Sequence, residues 1–378
     1  MKFVLFYHSL FSDWNHGNAH FLRGVVRELK ARGHDVTVWE PAEGWSRENL
    51  VADHGETALD DIAAALPGLS SRLYDGAMPD LDEALDGADA VLVHEWSDPE
   101  LVAEVGRRRA AGAGFRLLFH DTHHRSVSAP EEMAAYDLSG YDGVLAFGNV
   151  IRDIYLQKQW AAHAWTWHEA ADTALFHPRD DIAASRDLVW IGNWGDDERT
   201  EELDRFLLEP VKALGLSATV HGVRYPADAL DRLKAAGIDY RGWLPNHRVP
   251  EVFAAHRVTV HVPRRFYTDI LPGIPTIRPF EAMACGIPLV SASWDDAEGL
   301  FTPGEDYLIA RNADDMAAKL RMVLTDTDLA RSLRENGLAA IRARHTCGHR
   351  ADELLDILAS LGCPADTTHS PRARVEIA

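Results

Sequence analysis

The sequence predicts an α/β protein made of two doubly wound, Rossmann-like domains, each a parallel sheet covered by helices on both faces. Its 378 residues, 46% of them hydrophobic, exceed what one core usually organises, since single cores seldom grow past roughly 250 residues. Short apolar runs alternate with amphipathic segments, as in βαβ units. This alternation stops at 167–178 and then starts again, which indicates a second domain.

The first series of apolar runs predicts five buried strands and an amphipathic first helix. The strands lie at 3–7, 36–39, 90–94, 115–120 and 143–147, and the helix lies at 19–31. The crossover that follows has no clear period and ends at Pro178. We therefore expect residues 1–170 to form an N-terminal domain.

The second series predicts another five strands and three closing helices. The strands lie at 188–191, 218–221, 258–262, 289–291 and 307–309, and the helices lie at 313–324, 329–344 and 350–361. We expect residues 171–348 to form a C-terminal domain and 349–363 to form a terminal helix. The polar tail at 364–378 is expected to be disordered.

The charge and composition of the chain exclude several classes of partner. A net charge of −21 would repel nucleic acid and anionic lipid, and the lysines and arginines form no basic patch. No apolar run approaches the roughly 20 residues that span a bilayer, and the opening strand is too short for a signal peptide. Three widely spaced cysteines favour reduced thiols. We expect a cytoplasmic protein without nucleic-acid or membrane partners, and the sequence leaves its oligomeric state open.

The segment around Glu281 is the most informative candidate site. Pro279 suits the first turn of a helix, so the backbone N–H groups of Ile277 and Arg278 lie where a helix start binds an anion such as a diphosphate, and Thr276 before them is a further candidate donor contact. A carboxylate one turn later, Glu281, could accept hydrogen bonds from both hydroxyls of a ribose. The alternative is an ordinary helix whose first turn carries an acid because the macrodipole favours one there.

Two turns after strands of the second series are weaker candidates. Gly192 and Asn193 follow the strand at 188–191, where a glycine lets backbone N–H groups approach a phosphate, although simple turn chemistry also explains them. The full dinucleotide fingerprint is missing, which argues against a nicotinamide or flavin enzyme. Trp243 and Leu244 could hold a base, or the tryptophan could simply pack the core.

Two adjacent arginines follow the strand at 258–262. Arg264 and Arg265 lie at the carboxyl end of that strand, where open α/β sheets bind ligands. Guanidinium groups suit bidentate contact with a diphosphate, so the pair is a candidate for stabilising a leaving group. The alternative is a solvated surface pair.

Polar residues close the fourth strand of the first series. His120, Asp121 and His123 follow one another closely there, and His120 or Asp121 could act as a base on an acceptor hydroxyl. The loop after the first strand is long and aromatic, so Asn15, Gly17 and Asn18 are candidate acceptor contacts, with Asn18 also suited to cap the following helix. The same rim includes His94 and Glu95, together with His123.

Two short motifs raise the question of a metal ion. The histidines and aspartate at 120–124 could ligate zinc, but adjacent residues on one loop rarely supply a tetrahedron. Asp326 and Asp328 form an acid-x-acid pair that suits helix capping better, because it lies between two helices. We therefore expect no metal and no other cofactor.

Taken together, these motifs resemble the GT-B glycosyltransferases, and within them the group with C-terminal domains like the spore-maturation protein CgeB. The resemblance covers most of the chain and is most specific at 169–178, 241–246, 271–276, 278–290 and 344–350. It implies two domains facing across a cleft, with a nucleotide-sugar donor in the C-terminal domain and an acceptor in the N-terminal domain. It also implies catalysis without a metal and a final helix that crosses back to the first domain.

The resemblance assigns roles to single residues by position. Glu281 matches the ribose-binding carboxylate, and Arg265, with Arg264 as a second candidate, matches the cation that stabilises the departing diphosphate. Retaining relatives carry a second acid eight residues before the first, where this chain has Gly273. The implied activity is transfer of a sugar from a nucleoside diphosphate sugar to a hydroxyl, with base, sugar, acceptor and stereochemistry open. An epimerase or hydrolase on the same fold, or a binding protein without catalysis, are the alternatives.

Overall fold

The computed structural model describes residues 1–195 and 199–363. Its strands form two separate sheets, and every strand pair in both sheets is parallel. Parallel sheets need helical crossovers, which cover both faces and produce the near-continuous apolar runs seen in the sequence.

The N-terminal sheet has seven strands in the order β3-β2-β1-β4-β5-β6-β7. The strands are β1 (Lys2–Phe6), β2 (Asp35–Pro41), β3 (Ser71–Tyr74), β4 (Ala90–His94), β5 (Arg116–Asp121), β6 (Gly143–Ala146) and β7 (Ala164–Thr166). The helices are α1 (Ala19–Ala31), α2 (Trp45–His54), α3 (Thr57–Ala65), α4 (Leu81–Leu85), α5 (Pro99–Ala110), α6 (Arg125–Ser128), α7 (Pro130–Ala134) and α8 (Asn149–Gln157).

The C-terminal sheet has six strands in the order β10-β9-β8-β11-β12-β13. The strands are β8 (Arg186–Ile191), β9 (Ala218–His221), β10 (Asp239–Tyr240), β11 (His256–His261), β12 (Leu289–Ala292) and β13 (Leu308–Ala310). The helices are α9 (Thr200–Leu203), α10 (Glu209–Leu214), α11 (Ala227–Ala235), α12 (Val249–Ala254), α13 (Arg265–Asp269), α14 (Ile277–Cys285), α15 (Ala313–Thr325), α16 (Thr327–Arg344) and α17 (Cys347–Ser360). A π-helical turn at Asp204–Leu208 joins α9 to α10, and a 3-10 turn at Asn246–Arg248 precedes α12.

Each sheet reverses its strand order at one point, next to its first strand. In the N-terminal sheet β1 lies between β2 and β4, with Phe3 opposite both Val36 and Ala90. In the C-terminal sheet β8 lies between β9 and β11. The loops that leave these strands diverge to opposite faces of the sheet, which opens a crevice at the carboxyl ends of the strands.

The last helix packs against the first one. Helix α17 lies along α1, and the contact is close because Gly24 of α1 has no side chain: a Cβ there would lie 2.4 Å from the sulfur of Cys347. Thr346 caps α17, accepting a hydrogen bond from the backbone N–H of His349, whose ring completes a capping box. The chain therefore returns to the N-terminal sheet after finishing the C-terminal one.

The structure confirms the predicted fold class and all ten predicted strands, with small shifts at their ends. It adds β3 and β7, whose short, partly exposed sequences carry no strong apolar signal, and the two-residue strand β10. The predicted boundary after residue 170 lies between the two sheets, and the predicted tail at 364–378 lies outside the described residues. Asp326 accepts hydrogen bonds from two N–H groups at the start of α16, as the capping interpretation predicted.

Two further predictions concern thiols and membranes. All three cysteines are free, with Cys285 and Cys347 buried and Cys363 partly buried. Among the helices of the described chain, none is both long and apolar enough to cross a bilayer.

Candidate active site

A cavity of about 1040 Å³ lies between the two domains, where the carboxyl ends of both sheets face each other. Its walls are the loops that leave β1 to β6 in one domain and β8 to β11 in the other, together with the crossover and the start of α14. Strand order alone places ligand sites at such ends. The volume is slightly larger than the usual range for small-molecule sites, roughly 300–1,000 Å³.

The loop between β1 and α1 is held in place by a buried arginine. The Arg23 guanidinium donates hydrogen bonds to the carbonyl oxygens of Leu10 (2.8 Å) and Phe11 (2.7 Å) and to the carboxylate of Asp13 (3.0 Å). Asp13 also crosses the cleft, because it accepts hydrogen bonds from the indole N–H of Trp243 (3.1 Å) and the backbone N–H of Asn246 (3.0 Å). A single carboxylate therefore joins the two walls.

The C-terminal wall of the cavity is cationic. Its described lining residues include four arginines and no carboxylate: Arg199, Arg224, Arg264 and Arg278. The chain as a whole has a net charge of −21, so four formal positive charges on one wall make that wall differ in sign from the rest of the protein. Low-dielectric walls concentrate such a field and attract anions.

Helix α14 begins at this wall with an unusual backbone. Thr276, the residue before the helix, has φ +61° and ψ −176°, a conformation that is strained for a residue other than glycine. Its side chain makes no capping hydrogen bond to the first turn. Thr276, Ile277 and Arg278 all line the cavity, so the positive end of the helix dipole faces it.

Glu281 lies one turn further into α14, completely buried, and ties three segments together. Its Oε1 accepts hydrogen bonds from Nδ1 of His20 on α1 (2.8 Å) and from the side chain of Asn246 (3.0 Å), and its Oε2 pairs with Arg278. Nε2 of His20 accepts the backbone N–H of Asp172 on the crossover (2.7 Å), which assigns the His20 proton to Nδ1. The carboxylate thus lies behind the cavity wall and not on it.

Burial and neighbouring charges act in opposite directions on Glu281. Burial alone would raise its pKa, but the Arg278 guanidinium and the hydrogen bonds from His20 and Asn246 outweigh that effect and lower it. Glu281 is therefore an anion at neutral pH. Its two oxygens are already engaged by protein donors.

The N-terminal wall carries histidines that are uncharged at neutral pH. Burial lowers the pKa of His8 to about 4 and that of His94 well below its usual value, with nearby imidazoles adding to the effect on His94. Burial and the charge of Arg264 lower the pKa of His124 to about 4. This wall therefore receives no positive charge from its imidazoles.

Glu169 is a buried carboxyl group on the cavity lining. It belongs to the crossover between the domains, and the side chain of Asn18 donates a hydrogen bond to it at 3.4 Å. Burial is the main cause that raises its pKa to about 8, and the charge of Glu281 adds to it. Glu169 is thus protonated through most of the physiological range.

Comparison with known proteins agrees with this architecture. Residues 199–356 match the model of a family described as glycosyl transferase-like. Sucrose-phosphate synthase from Thermosynechococcus elongatus superposes with a TM-score of 0.66 at 16% identity, covering 95% of this chain and 98% of that one. HepE from Anabaena, solved in complex with UDP-glucose, superposes with a TM-score of 0.66 at 15% identity, covering 95% and 100%. A search among curated proteins finds no match by sequence.

A third structure, a glycosyltransferase from Rickettsia africae, superposes with a TM-score of 0.65 at 12% identity, covering 95% of this chain and 98% of that one. At these identities the likeness shows the fold. The fold is GT-B, and residues 199–356 are similar in sequence to the glycosyl transferase-like family. The cavity is accordingly the cleft between the two GT-B domains, and both walls described above belong to it.

Most residues predicted for the donor side line this GT-B cleft. They are Gly192, Asn193, Trp243, Leu244, Arg264, Thr276, Ile277 and Arg278. The backbone N–H of Gly192 donates to the carbonyl of His221 at 2.9 Å, which favours simple turn chemistry there over an open phosphate contact. Trp243 is half-buried, packs beside His54 and lines the cleft, and its contact with a base stays a prediction.

Two donor-side predictions need correction in position. Glu281 does not reach the cleft because it is buried against His20 and Asn246, and its ribose role stays a prediction. Arg265 opens helix α13 and turns away from the cleft, where its Nε lies 3.0 Å from Glu202. Its neighbour Arg264 lines the cleft instead, because successive residues entering a helix point in different directions.

The residues predicted for the acceptor side also divide into those that line the cleft and those that do not. Asn15, Gly17, Asn18, His94 and His123 line the cleft. Asn18 precedes α1 as predicted, but its side chain binds Glu169 and caps no N–H group.

Three residues predicted for the N-terminal side lie beneath the cleft surface. Asp121 is fully buried, accepting hydrogen bonds from the hydroxyl of Tyr155 and the backbone N–H of His123, and burial raises its pKa. His120 is buried against the hydroxyl of Tyr7 at 2.5 Å. Glu95 is buried in an ion pair with Arg125. The structure therefore does not support direct contact of Asp121, His120 or Glu95 with a ligand.

Several cleft residues carried no prediction from the sequence. The loops after β2, β4, β8 and β9 supply Glu43, Asp98, Arg199 and Arg224, so inspection of every strand end would have found them. Glu169 follows β7, a strand that the sequence did not predict, so this signal was missing for it.

Proposed function

We propose that this protein is a glycosyltransferase that moves a sugar from a nucleoside diphosphate sugar to a hydroxyl acceptor. The observation that carries the proposal is the charge of the C-terminal wall, where four arginines and the start of α14 face one cavity. A diphosphate is the part of such a donor that this wall suits, since helix starts and guanidinium groups both bind phosphate oxygens. HepE, which shares the fold, is known in complex with UDP-glucose.

The chemical contribution of this wall would be stabilisation of the leaving nucleoside diphosphate. Negative charge develops on the bridging oxygen as the bond to the sugar breaks, and donors fixed beforehand stabilise it without reorganisation. Arg278 lies in the first turn of α14, and Arg264 lines the same cleft. Arg278 is positioned by its ion pair with Glu281. Through this pair Glu281 would act as a positioning residue in the state described.

We further propose that the reaction proceeds without a metal ion, in a cytoplasmic enzyme of the CgeB-like group. Cationic side chains can neutralise a leaving diphosphate in place of a divalent ion. Within the described residues no cluster of three or more His, Cys, Asp or Glu side chains suits a metal. Turnover measured with and without EDTA tests this part: loss of activity that Mg²⁺ or Mn²⁺ restores would contradict it.

Adjacent arginines allow a matched test of the leaving-group role. A thermal-shift screen with UDP, GDP, dTDP, ADP and CMP identifies the nucleotide, and turnover of the corresponding sugar donor follows. We expect Arg264→Gln to lower kcat on the order of 10²-fold, as for removal of one preorganised donor. Arg265→Gln removes the same charge one residue away, outside the cleft lining, and should retain kcat within about threefold of the native value.

The results for these two variants test the role of each arginine and the proposed function as a whole. A larger loss in Arg265→Gln would restore the assignment made from the sequence resemblance. Equal native rates in both variants would contradict leaving-group stabilisation by this wall. Product analysis with donor alone distinguishes the alternatives, because an epimerised sugar in the absence of acceptor would indicate an epimerase. Binding of nucleotide without turnover of any sugar donor would indicate a binding protein.

A further inference from the structure

The N-terminal wall of the cleft differs sharply in charge from the C-terminal wall. Among its described lining residues there is no lysine or arginine, and there are four acids: Asp13, Glu43, Asp98 and Glu169. Asp13 is neutralised by Arg23, and burial keeps Glu169 protonated. Glu43 and Asp98 remain as exposed carboxylates at the outer part of this wall.

The two exposed carboxylates have few protein partners. No described residue donates a hydrogen bond or forms an ion pair with the carboxylate of Glu43. Asp98 caps helix α5 through one oxygen, which accepts the backbone N–H of Glu100 at 2.8 Å. The charge of Asp98 also acts on Tyr74. Burial and the charges of Asp98 and Glu40 raise the pKa of this phenol to about 12. Neither carboxylate is therefore paired with a cationic side chain of the described residues.

Large aromatic rings lie beside these carboxylates. Trp45 is 50% exposed and Trp96 is 46% exposed, and both line the cleft next to Glu43 and Asp98 in the sequence. Trp45 is held edge-on by Trp14 at 5.1 Å between ring centroids, and the guanidinium of Arg125 covers a face of Trp96 at 4.1 Å. Rings fixed in this way present electron-rich faces that attract polarised C–H groups and cations and disfavour anions.

We infer that the acceptor is a hydroxyl-rich, carbohydrate-type molecule without phosphate or carboxylate groups, bound between Trp45 and Trp96 with its hydroxyls donating to Glu43 and Asp98. This inference rests on the proposed function, because it names the acceptor of that reaction. Carboxylates accept hydrogen bonds from sugar hydroxyls, and aromatic faces cover the apolar face of a sugar ring. An anionic acceptor would meet two like charges. The described lining of this wall has no guanidinium or ammonium group, and Arg125, which lies on Trp96, is paired with Glu95.

The charge arrangement also accounts for how two substrates share one cleft. The anionic donor matches the arginines on one wall, while a neutral acceptor avoids both competition for those arginines and repulsion from the donor. Like charges placed in contact disfavour the wrong partner, so the carboxylates act by exclusion as well as by hydrogen bonding.

The test compares three matched probes on the full-length protein in the presence of saturating UDP: glucose, glucosamine and glucose 6-phosphate. Dissociation constants come from saturation-transfer NMR titrations at low ionic strength. We expect glucose 6-phosphate to bind about fivefold or more weakly than glucose, and glucosamine to bind at least as tightly as glucose. The difference between the dissociation constants of glucose and glucose 6-phosphate should become smaller in 0.5 M NaCl, because salt screens exposed charges.

The variant Glu43→Gln/Asp98→Asn should reduce the discrimination against glucose 6-phosphate to less than about twofold, since asparagine still caps a helix. The control Glu48→Gln/Glu100→Gln changes the net charge equally, in the first turns of the two helices that follow Glu43 and Asp98 but outside the cleft lining, and it should keep the native discrimination. A thermal shift with UDP is measured in parallel on every protein.

The results distinguish this inference from the proposed function. Equal or tighter binding of glucose 6-phosphate, or no binding of any of the three sugars while UDP still binds, would overturn the acceptor class and leave the donor site intact. Loss of discrimination in the control variant would show a general charge effect and would also overturn it. Absence of a shift with UDP and with the other nucleotides would instead remove the proposed function.

Discussion

Replacement of Glu281 by glutamine tests whether this buried carboxylate holds the two domains together. In Glu281→Gln one oxygen can still accept from His20 and Asn246, but the charged partner of Arg278 is lost. Charge-assisted hydrogen bonds contribute about 1.5–3 kcal/mol each. Arg278 is 19% exposed and lines the cleft, so it can reach water, and the larger penalty of a stranded buried charge does not apply in full. We expect a loss of about 2 kcal/mol in the free energy of unfolding.

Urea unfolding at pH 7 measures this loss, with Glu335→Gln on the exposed face of α16 as a control that should stay within about 0.5 kcal/mol of the native value. Glu281→Ala should cost more, about 4 kcal/mol, because the donors on His20 and Asn246 also lose their acceptor. A glutamine variant as stable as the native protein that no longer binds nucleotide would refute this reasoning. Glu281 would then serve the ribose directly.

Three further predictions concern packing, pH and thiols. Gly24→Ala should destabilise the protein by about 1–3 kcal/mol in urea unfolding, since its Cβ would meet Cys347 at 2.4 Å, whereas Gly114→Ala, with no atom within 4 Å, should not. Glu169 has a folded pKa of about 8 against an ordinary 4.5, so its contribution to stability is complete below pH 4.5 and is lost as the pH rises to 8. Glu169→Gln should therefore lose less stability than the native protein between pH 5.5 and pH 8, and an equal loss would contradict the assignment. A thiol reagent should label only Cys363 rapidly in the native protein and all three cysteines in urea.

The sequence predicted the strands and the fold class correctly because both depend on local pattern. Each of the ten predicted strands is a short apolar run, and burial of both sheet faces makes that run conspicuous. The strand-end rule also placed Arg264, Gly192 and His94 correctly at the cleft, since the carboxyl ends of parallel strands meet at one edge. The short strands at 71–74 and 164–166 were missed because they lie towards or at the sheet edges and are partly exposed.

Side-chain direction at the cleft could not be read from the sequence. Arg264 and Arg265 are adjacent and chemically identical, and only the turn into α13 decides which one faces the cleft. Asp121 and His120 end the right strand, yet their side chains bind Tyr155 and Tyr7 beneath the surface. Such choices depend on contacts between residues far apart in the chain.

Local periodicity and turn chemistry therefore determined the two sheets, the helix starts and the loops in which ligand contacts lie, since each depends on residues within one or two turns of the chain. Only the tertiary structure decided which side chains of those loops reach the cleft. Glu281 shows the reason: its carboxylate is engaged by His20, which is 261 residues away, and no local pattern encodes such a contact. The segment around Glu281, which was the clearest signal in the sequence, thus places Thr276 and Arg278 on the cleft lining. Its carboxylate, Glu281, instead pairs with Arg278 and contacts His20 of the other domain.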